Sequence, residues 1–257
     1  KVHIGFQSCI MTKTVLFLNC FLRSPNWFFS DNQVRRIPRI VLASLEHSPD
    51  IVGVAEVFGD TNCSKMQNMF TQGGYSFIFP GSSHNTGLGC AIHPKYKVLA
   101  ATFFPFVHSV FPDSLADKGF FIVQIEHKRT RKVLLVIVTH LQATYNEWTD
   151  KHMIKKIERV QMQQLLQISQ YMSKLRYGIE YIICGDFNID VHARSRVSRL
   201  FAALFPSARL NIQYTTDERK TIDYIISSSD IENIEAYSDS STTPLSDHYL
   251  IRAEIRV

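Results

Sequence analysis

The chain has 257 residues, of which 45% are hydrophobic and 20% charged, with a formal net charge of +5. This is the balance of a globular protein with a sizeable core and unlike that of a disordered chain. The mild basic excess points to an anionic partner without choosing among nucleic acid, a phospholipid surface and a phosphate ester.

The first apolar run, TVLFLNCF (14–21), reads as a strand that carries Asn19. Its surroundings, MTKTVLFLNCFL, look like a secretory leader but have no small-residue cleavage site. Trp27, Phe28 and Phe29 follow in a Pro-broken stretch that reads as an exposed loop. Val34, Ile37, Ile40, Val41 and Leu45 then fall at helical spacing over 33–47. Strands are expected over 50–57, with Glu56 inside the apolar run, over 75–79 and over 88–93. FFPFVHSVFP, with Phe103, Phe104, Phe106 and Phe111, reads as a second aromatic loop, because Pro105 and His108 interrupt it. Strands return over 120–127 and over 132–141, the latter carrying His140. A helix over 151–176 puts Ile154, Ile157, Val160, Leu165 and Ile168 on one face and Lys and Gln on the other. The strand over 181–187 ends in Asp186, with Asn188 just beyond, and the strand over 221–227 carries Asp223. The segment 228–246 is polar and rich in Ser and Thr, and 249–257 alternates as a half-buried strand. No repeat or linker divides the chain, so one domain over 1–257 is expected, of α/β class, with two packed sheets covered by helices.

No apolar run is long enough for a membrane-spanning helix. The five cysteines contain no CxxC pair. Cys20, Cys90 and Cys184 read as buried thiols, and only Cys9 and Cys63 are loop-like enough to pair. Asn62-Cys63-Ser64 forms a glycosylation sequon of a kind that arises often by chance.

Asn19, Glu56, His140, Asp186, Asn188, Asp223, Asp247 and His248 all stand in or beside apolar strands. An unpaired charge is costly there. So many together imply that the strand ends converge on a cation and an anionic substrate. Asn19, Glu56, Asp186, Asn188 and Asp247 are hard oxygen donors, suited to Mg²⁺, Mn²⁺ or Ca²⁺. No HExxH, GxxxxGK[ST] or GxSxG motif is present. Two histidines among carboxylates fit hydrolysis of a phosphate ester by activated water.

LNCFL, AEVF, THLQA, GDFN, IDYI and PLSDH, in this order, resemble the endonuclease/exonuclease/phosphatase superfamily along essentially the whole chain. The resemblance implies a four-layer sandwich, two mixed β-sheets face to face with helices outside, and a divalent-metal phosphodiesterase or phosphatase. Asp117-Lys118-Gly119 before a strand, THLQATYN, and the long helix with Arg159 and Gln163 are similar to the neutral sphingomyelinases. The segment 228–246 departs from the secreted bacterial members, which carry an aromatic-tipped hairpin late in the chain.

By this resemblance Glu56 is the principal ligand of Mg²⁺ (with Mn²⁺ as the alternative), Asn19 stands close by and Asp247 extends the metal site. Asp186 and Asn188, expected to point the same way from one strand tip, orient water and phosphate. His248 is the general base and Asp223 its orienting carboxylate. His140 donates to a phosphate oxygen, and Lys118 contacts phosphate or substrate. The implied partners are a phospholipid membrane surface and a sphingomyelin-type substrate, with no obligate protein partner and a location peripheral to membranes. A nuclease or phosphoinositide phosphatase of the same fold is the alternative. Scattered basic residues disfavour a nucleic-acid groove.

Overall fold

The structure, a computed structural model, describes residues 12–23, 32–81, 85–145, 150–208, 214–239, 241 and 244–256. Among these the strands are β1 (Thr12–Leu22), β2 (Ile51–Val57), β3 (Ser76–Ile78), β4 (Gly89–Ile92), β5 (Tyr96–Pro105), β6 (Gly119–His127), β7 (Val133–His140), β8 (Glu180–Asp186), β9 (Asp223–Ser227), β10 (Ile231–Tyr237) and β11 (Leu250–Arg256). The helices are α1 (Gln33–Glu46), α2 (Asp60–Gln72), α3 (Lys151–Ser173) and α4 (Arg196–Leu204), with a 3₁₀ turn at Asp113–Leu115.

Strands apolar on both faces must be covered on both faces, and the layers satisfy this. One sheet has the order β10-β11-β1-β2-β4-β3, the other β5-β6-β7-β8-β9. Each is mixed, since β1–β2 and β7–β8 pair in parallel and their other neighbours antiparallel. Val15, Phe17, Ile51 and Ala55 of the first sheet pack against Val136, Val138, Cys184 and Ile225 of the second. The alternate residues face outward. Leu16, Leu18, Val52 and Val54 meet Ile37, Ile40, Met66 and Phe70 of α1 and α2. Ile137 and Ile183 meet Leu165 and Ile168 of α3 and Phe201 of α4. The stretch that looks like a leader is thus the middle strand of a sheet. Among the described residues, no helix is long and apolar enough to cross a membrane.

Two strands and two helices depart from the sequence reading. β5 replaces part of the expected aromatic loop. It is an edge strand paired only with β6 and exposed along much of its length. Pro105 ends it, a position an edge strand tolerates. Phe103, Phe104 and Phe106 consequently pack inward, with Phe104 stacked on Phe120 at 5.2 Å between centroids. Only Phe111 of that group is exposed. The other expected aromatic loop, Trp27-Phe28-Phe29, lies outside the described residues. β10 is the opposite edge strand and lies within the polar 228–246 segment. α2 has few buried residues and a weak sequence periodicity, and α4 is only 9 residues long.

Cys20, Cys63, Cys90 and Cys184 are free thiols. Cys63 belongs to α2, and Cys9 lies outside the described residues. The sequon residue Asn62 is buried, and its amide donates to Gln33 Oε1 and to the Phe58 carbonyl.

Candidate active site

Strand register gathers the polar ends. In the second sheet His140 is opposite Asp186, and Asp186 is opposite Asp223, so three neighbouring strands present three functional groups at one level. In the first sheet Asn19 pairs with Ala55, which places Glu56 one residue further along. Gly185 allows the parallel approach of β8 to β7, because a Cβ there would strike the Thr139 carbonyl.

The two sheets meet through Asn19. Its Nδ2 donates to Glu56 Oε1 and to Asp186 Oδ2, each at 3.0 Å, and its Oδ1 accepts the Phe21 N–H at 3.1 Å. Asn19 therefore clasps two carboxylates with its nitrogen, where an oxygen donor to metal was expected. Glu56, His140 and Asp186 bring one ligand atom each within 4.8 Å of one another, and so do Asp186, Asp223 and His248. His248 Nδ1 lies 2.8 Å from Asp223 Oδ2 and 3.1 Å from Oδ1, while its Nε2 faces Asp186 Oδ2 at 3.8 Å. Asp247 is exposed and belongs to neither triplet, so it stands at the rim beside the expected metal position.

The strand-tip argument for Asn188 fails in its geometry. β8 ends at Asp186, and Asn188 adopts a left-handed backbone, φ 53°. Asp186 Oδ1 accepts the Asn188 N–H at 2.8 Å, an Asx-type turn. The Asn188 side chain then donates to the Leu141 carbonyl at 3.1 Å. Lys118 Nζ donates to the same carbonyl at 3.1 Å and stands 3.5 Å from Asp113 Oδ2. Lys118 is buried. Glu56 is also left-handed, φ 54°. A non-glycine residue held so costs about 1–3 kcal/mol and tends to cluster at functional sites.

Glu56, Lys118, His140, Asp186, Asn188, Asp247 and His248 line one cavity of 550 Å³, with Asn19 and Asp223 behind its wall. Phe21, Phe58, Pro112, Leu115 and Ala116 add apolar surface to the same lining. Burial raises the Glu56 carboxyl. Burial, then the neighbouring Asp223, pushes Asp186 up to about 7. Burial, with Lys118 and His248 nearby, holds His140 well below the usual histidine range, so it is a neutral donor. For His248 burial acts downward, but Asp223, Asp186 and Asp247 outweigh it and raise the imidazole well above its ordinary value.

Several supporting residues escaped the sequence reading. Asp113 Oδ2 accepts the Ala143 N–H at 2.6 Å and its Oδ1 the Tyr145 hydroxyl at 2.7 Å. Gln161 and Gln164, expected on the outer face of α3, are buried. Gln161 donates to the Gln142 and Asn188 carbonyls and Gln164 Oε1 accepts the Gln142 N–H. Arg159 and Gln163 are exposed and do not line the cavity. Ser246 Oγ donates to the Asn19 carbonyl at 2.6 Å and accepts the His248 N–H at 3.2 Å.

Arg36 fixes that loop. Buried on α1, it donates to the carbonyls of Leu245 (2.9 Å), Phe21 (3.1 Å) and Cys20, joining the loop that carries His248 to the end of β1. Its signal in the sequence was a charge on the apolar stripe of a helix. Arg36→Met should strand several buried carbonyls and lower Tm by roughly 5–10 °C. It should also reduce turnover on a soluble phosphodiester, and Arg36→Lys should restore part of both. Unchanged turnover would mean that Arg36 does not position His248.

A sequence profile described as "Endonuclease/Exonuclease/phosphatase family" matches residues 27–248. The chain belongs to this family. No curated protein matches it significantly. Sphingomyelinase C from Streptomyces griseocarneus superposes with a TM-score of 0.73 at 16% identity, covering 95% of this chain and 99% of that one. A Staphylococcus aureus beta toxin variant with bound magnesium ions gives 0.74 at 17%, covering 95% and 99%. Humanized D. rerio TDP2 gives 0.74 at 15%, covering 96% and 99%. At such identities the likeness is one of fold, and it extends equally to differently named members. The family's fold, a cavity lined by His140 and His248 together with Glu56, Asp186 and Asp247, and a carboxylate/His cluster able to hold a metal ion make this a hydrolase-type site.

Proposed function

We propose that the chain is a Mg²⁺-dependent phosphodiesterase that hydrolyses sphingomyelin, or a related phosphocholine lipid, to ceramide and phosphocholine. The observation that carries the chemistry is the His248–Asp223 pair facing Asp186 across a cavity that also contains Glu56, His140 and Lys118. The lipid reading is supported by the apolar residues in the cavity lining, Phe21, Phe58, Pro112, Leu115 and Ala116, and by the likeness of the Asp117-Lys118-Gly119 segment to neutral sphingomyelinases.

The donor set fits a hard divalent cation. Half-buried Glu56 and buried Asp186 are carboxylates held together by one amide, with raised proton affinity, the environment a divalent charge relieves. These two would hold Mg²⁺, or Mn²⁺, which when bound supplies Lewis-acid charge to the phosphate oxygens. The raised imidazole must first lose its proton, as a divalent charge offsetting the Asp186 and Asp247 carboxylates would favour; neutral His248 Nε2 then takes a proton from water, whose oxygen forms the new bond to phosphorus. The P–O bond to the lipid breaks with its electron pair on the ceramide oxygen, which takes a proton from solvent water, and His248 returns its proton to solvent. Asp223 orients the ring through Nδ1 and stabilises the imidazolium formed. Asp186 and Asn188 orient the water and the phosphate. Neutral His140 donates to a phosphate oxygen as charge builds, and Lys118 adds a cation on the same side.

The test is parallel assay with Mg²⁺ of phosphocholine release from detergent-dispersed sphingomyelin, phosphate release from phosphoinositides, and cleavage of plasmid DNA. Phosphocholine release alone supports the reading. Cleavage of DNA or phosphoinositide without it replaces the substrate and leaves the catalytic assignment in place.

A further inference from the structure

The segment from Phe106 to Lys118, between β5 and β6, divides its side chains in two. Val110, Asp113 and Lys118 are buried, while Val107, Phe111 and Leu115 are 77, 73 and 66% exposed. Single exposed apolar residues are ordinary, but three on one short segment mark a surface that calls for a partner. The segment is held firmly. The Val107 N–H donates to Gln167 Oε1, Gln164 donates to the His108 carbonyl, and the Val110 N–H donates to Gln142 Oε1. The Val110 side chain packs against Ile157 and Val160 of α3, with Met153 alongside.

That packing sets what stands beside the segment. Lys156 follows Met153 by three residues and precedes Val160 by four, so it borders the face of α3 on which the segment lies. Arg159 is one turn further on, and His152 one turn back. All three are exposed. On its other side the segment contributes Pro112, Leu115 and Ala116 to the cavity wall.

We infer that Val107, Phe111 and Leu115, with Lys156 and Arg159, form a docking surface for an anionic phospholipid bilayer, which presents the mouth of the cavity to the lipid headgroups. Apolar side chains on a fixed loop enter the interface, while adjacent cations pair with acidic headgroups. A nucleic acid would use the cations and could stack a base on Phe111, but it would have no contact for the exposed aliphatic Val107 and Leu115. The inference deepens the lipid reading of the cavity by naming its partner surface.

The experiment measures binding of the full chain to vesicles in EDTA, so that catalysis plays no part. Vesicles of phosphatidylcholine alone are compared with phosphatidylcholine plus phosphatidylserine, and duplex DNA is titrated separately. Val107→Ser with Phe111→Ser, neither residue lining the cavity, should weaken binding to both vesicles by about tenfold or more. Lys156→Glu with Arg159→Glu should remove the phosphatidylserine-dependent part, about fivefold for each lost cation. Both variants should keep wild-type Tm and turnover of a soluble aryl phosphodiester.

Wild-type chain that fails to bind vesicles, or a double-serine variant that binds as wild type does, overturns the surface. So does DNA binding that depends on Lys156 and Arg159 without vesicle binding, which would make this a nucleic-acid face. Bound vesicles with no phosphocholine release from sphingomyelin would remove the substrate reading and keep the docking surface. Release from detergent-dispersed lipid without vesicle binding would do the reverse.

Discussion

His248→Ala should lower turnover by about two to four orders of magnitude, the range for loss of a positioned general base. Its Nε2 faces the Asp186 carboxylate, and its Nδ1 is held by Asp223, a fully buried residue. That pairing fixes both ring orientation and tautomer. Asp223→Asn preserves shape but loses the acceptor charge, so it should produce part of the same defect. The two substitutions act on one unit, so the double variant should be scarcely slower than His248→Ala alone. Asp247→Asn should change turnover little, because that side chain is exposed and outside both ligand clusters. Steady-state rates on a soluble phosphodiester, with circular dichroism to verify folding, decide this. Full activity in Asp223→Asn beside a dead Asp247→Asn would transfer the orienting role to Asp247.

What the sequence made legible were the positions where a charge interrupts an apolar strand. Glu56 in IVGVAEV, His140 at the end of VLLVIVTH and Asp186 at the end of YIICGD are each conspicuous, because an unsatisfied charge in a doubly covered strand is expensive. The sheet order that brings them together is not written in any one segment. It depends on long-range pairing such as β1 with β11.

The edge strands were hidden for a related reason. β5 and β10 are exposed along much of their length, so they lack the continuous hydrophobicity that marks central strands. Period-two reasoning also stopped being valid one residue before it was needed: Asn188 reaches the site by a left-handed turn beyond the end of β8. Gln161 and Gln164 look solvent-facing by composition, yet they are buried because the neighbouring loops carry polar backbone that needs partners. Arg36 is the same case in charged form.

Chelation should abolish activity, and the metal-free protein should be measurably less stable at neutral pH. The argument rests on Glu56 and Asp186. Both are raised, by burial first, and Asp186 is pushed from the usual carboxylate range up to about 7. Between those values the unfolded chain has released a proton that the folded chain still binds. Stability without metal therefore falls as pH rises through this window, and the loss is complete above the folded value. A divalent cation bound by the ionised carboxylates opposes that loss and competes with protons for the same oxygens. At a hundredfold excess over Kd it contributes about 2.7 kcal/mol, or roughly 5–10 °C in Tm for a chain of this size. The Tm increment from Mg²⁺ should accordingly be larger at pH 8 than at pH 5.5. Glu56→Ala should lose most of the increment at both values and resist rescue of turnover at ordinary Mg²⁺ levels. Asn19→Ala should weaken metal binding less, because it removes the clasp between the carboxylates and leaves both carboxylates in place. Scanning calorimetry across pH, with and without Mg²⁺, reads all of this independently of substrate. Full turnover in EDTA, or a Tm that ignores Mg²⁺ at pH 8, would remove the metal from the mechanism.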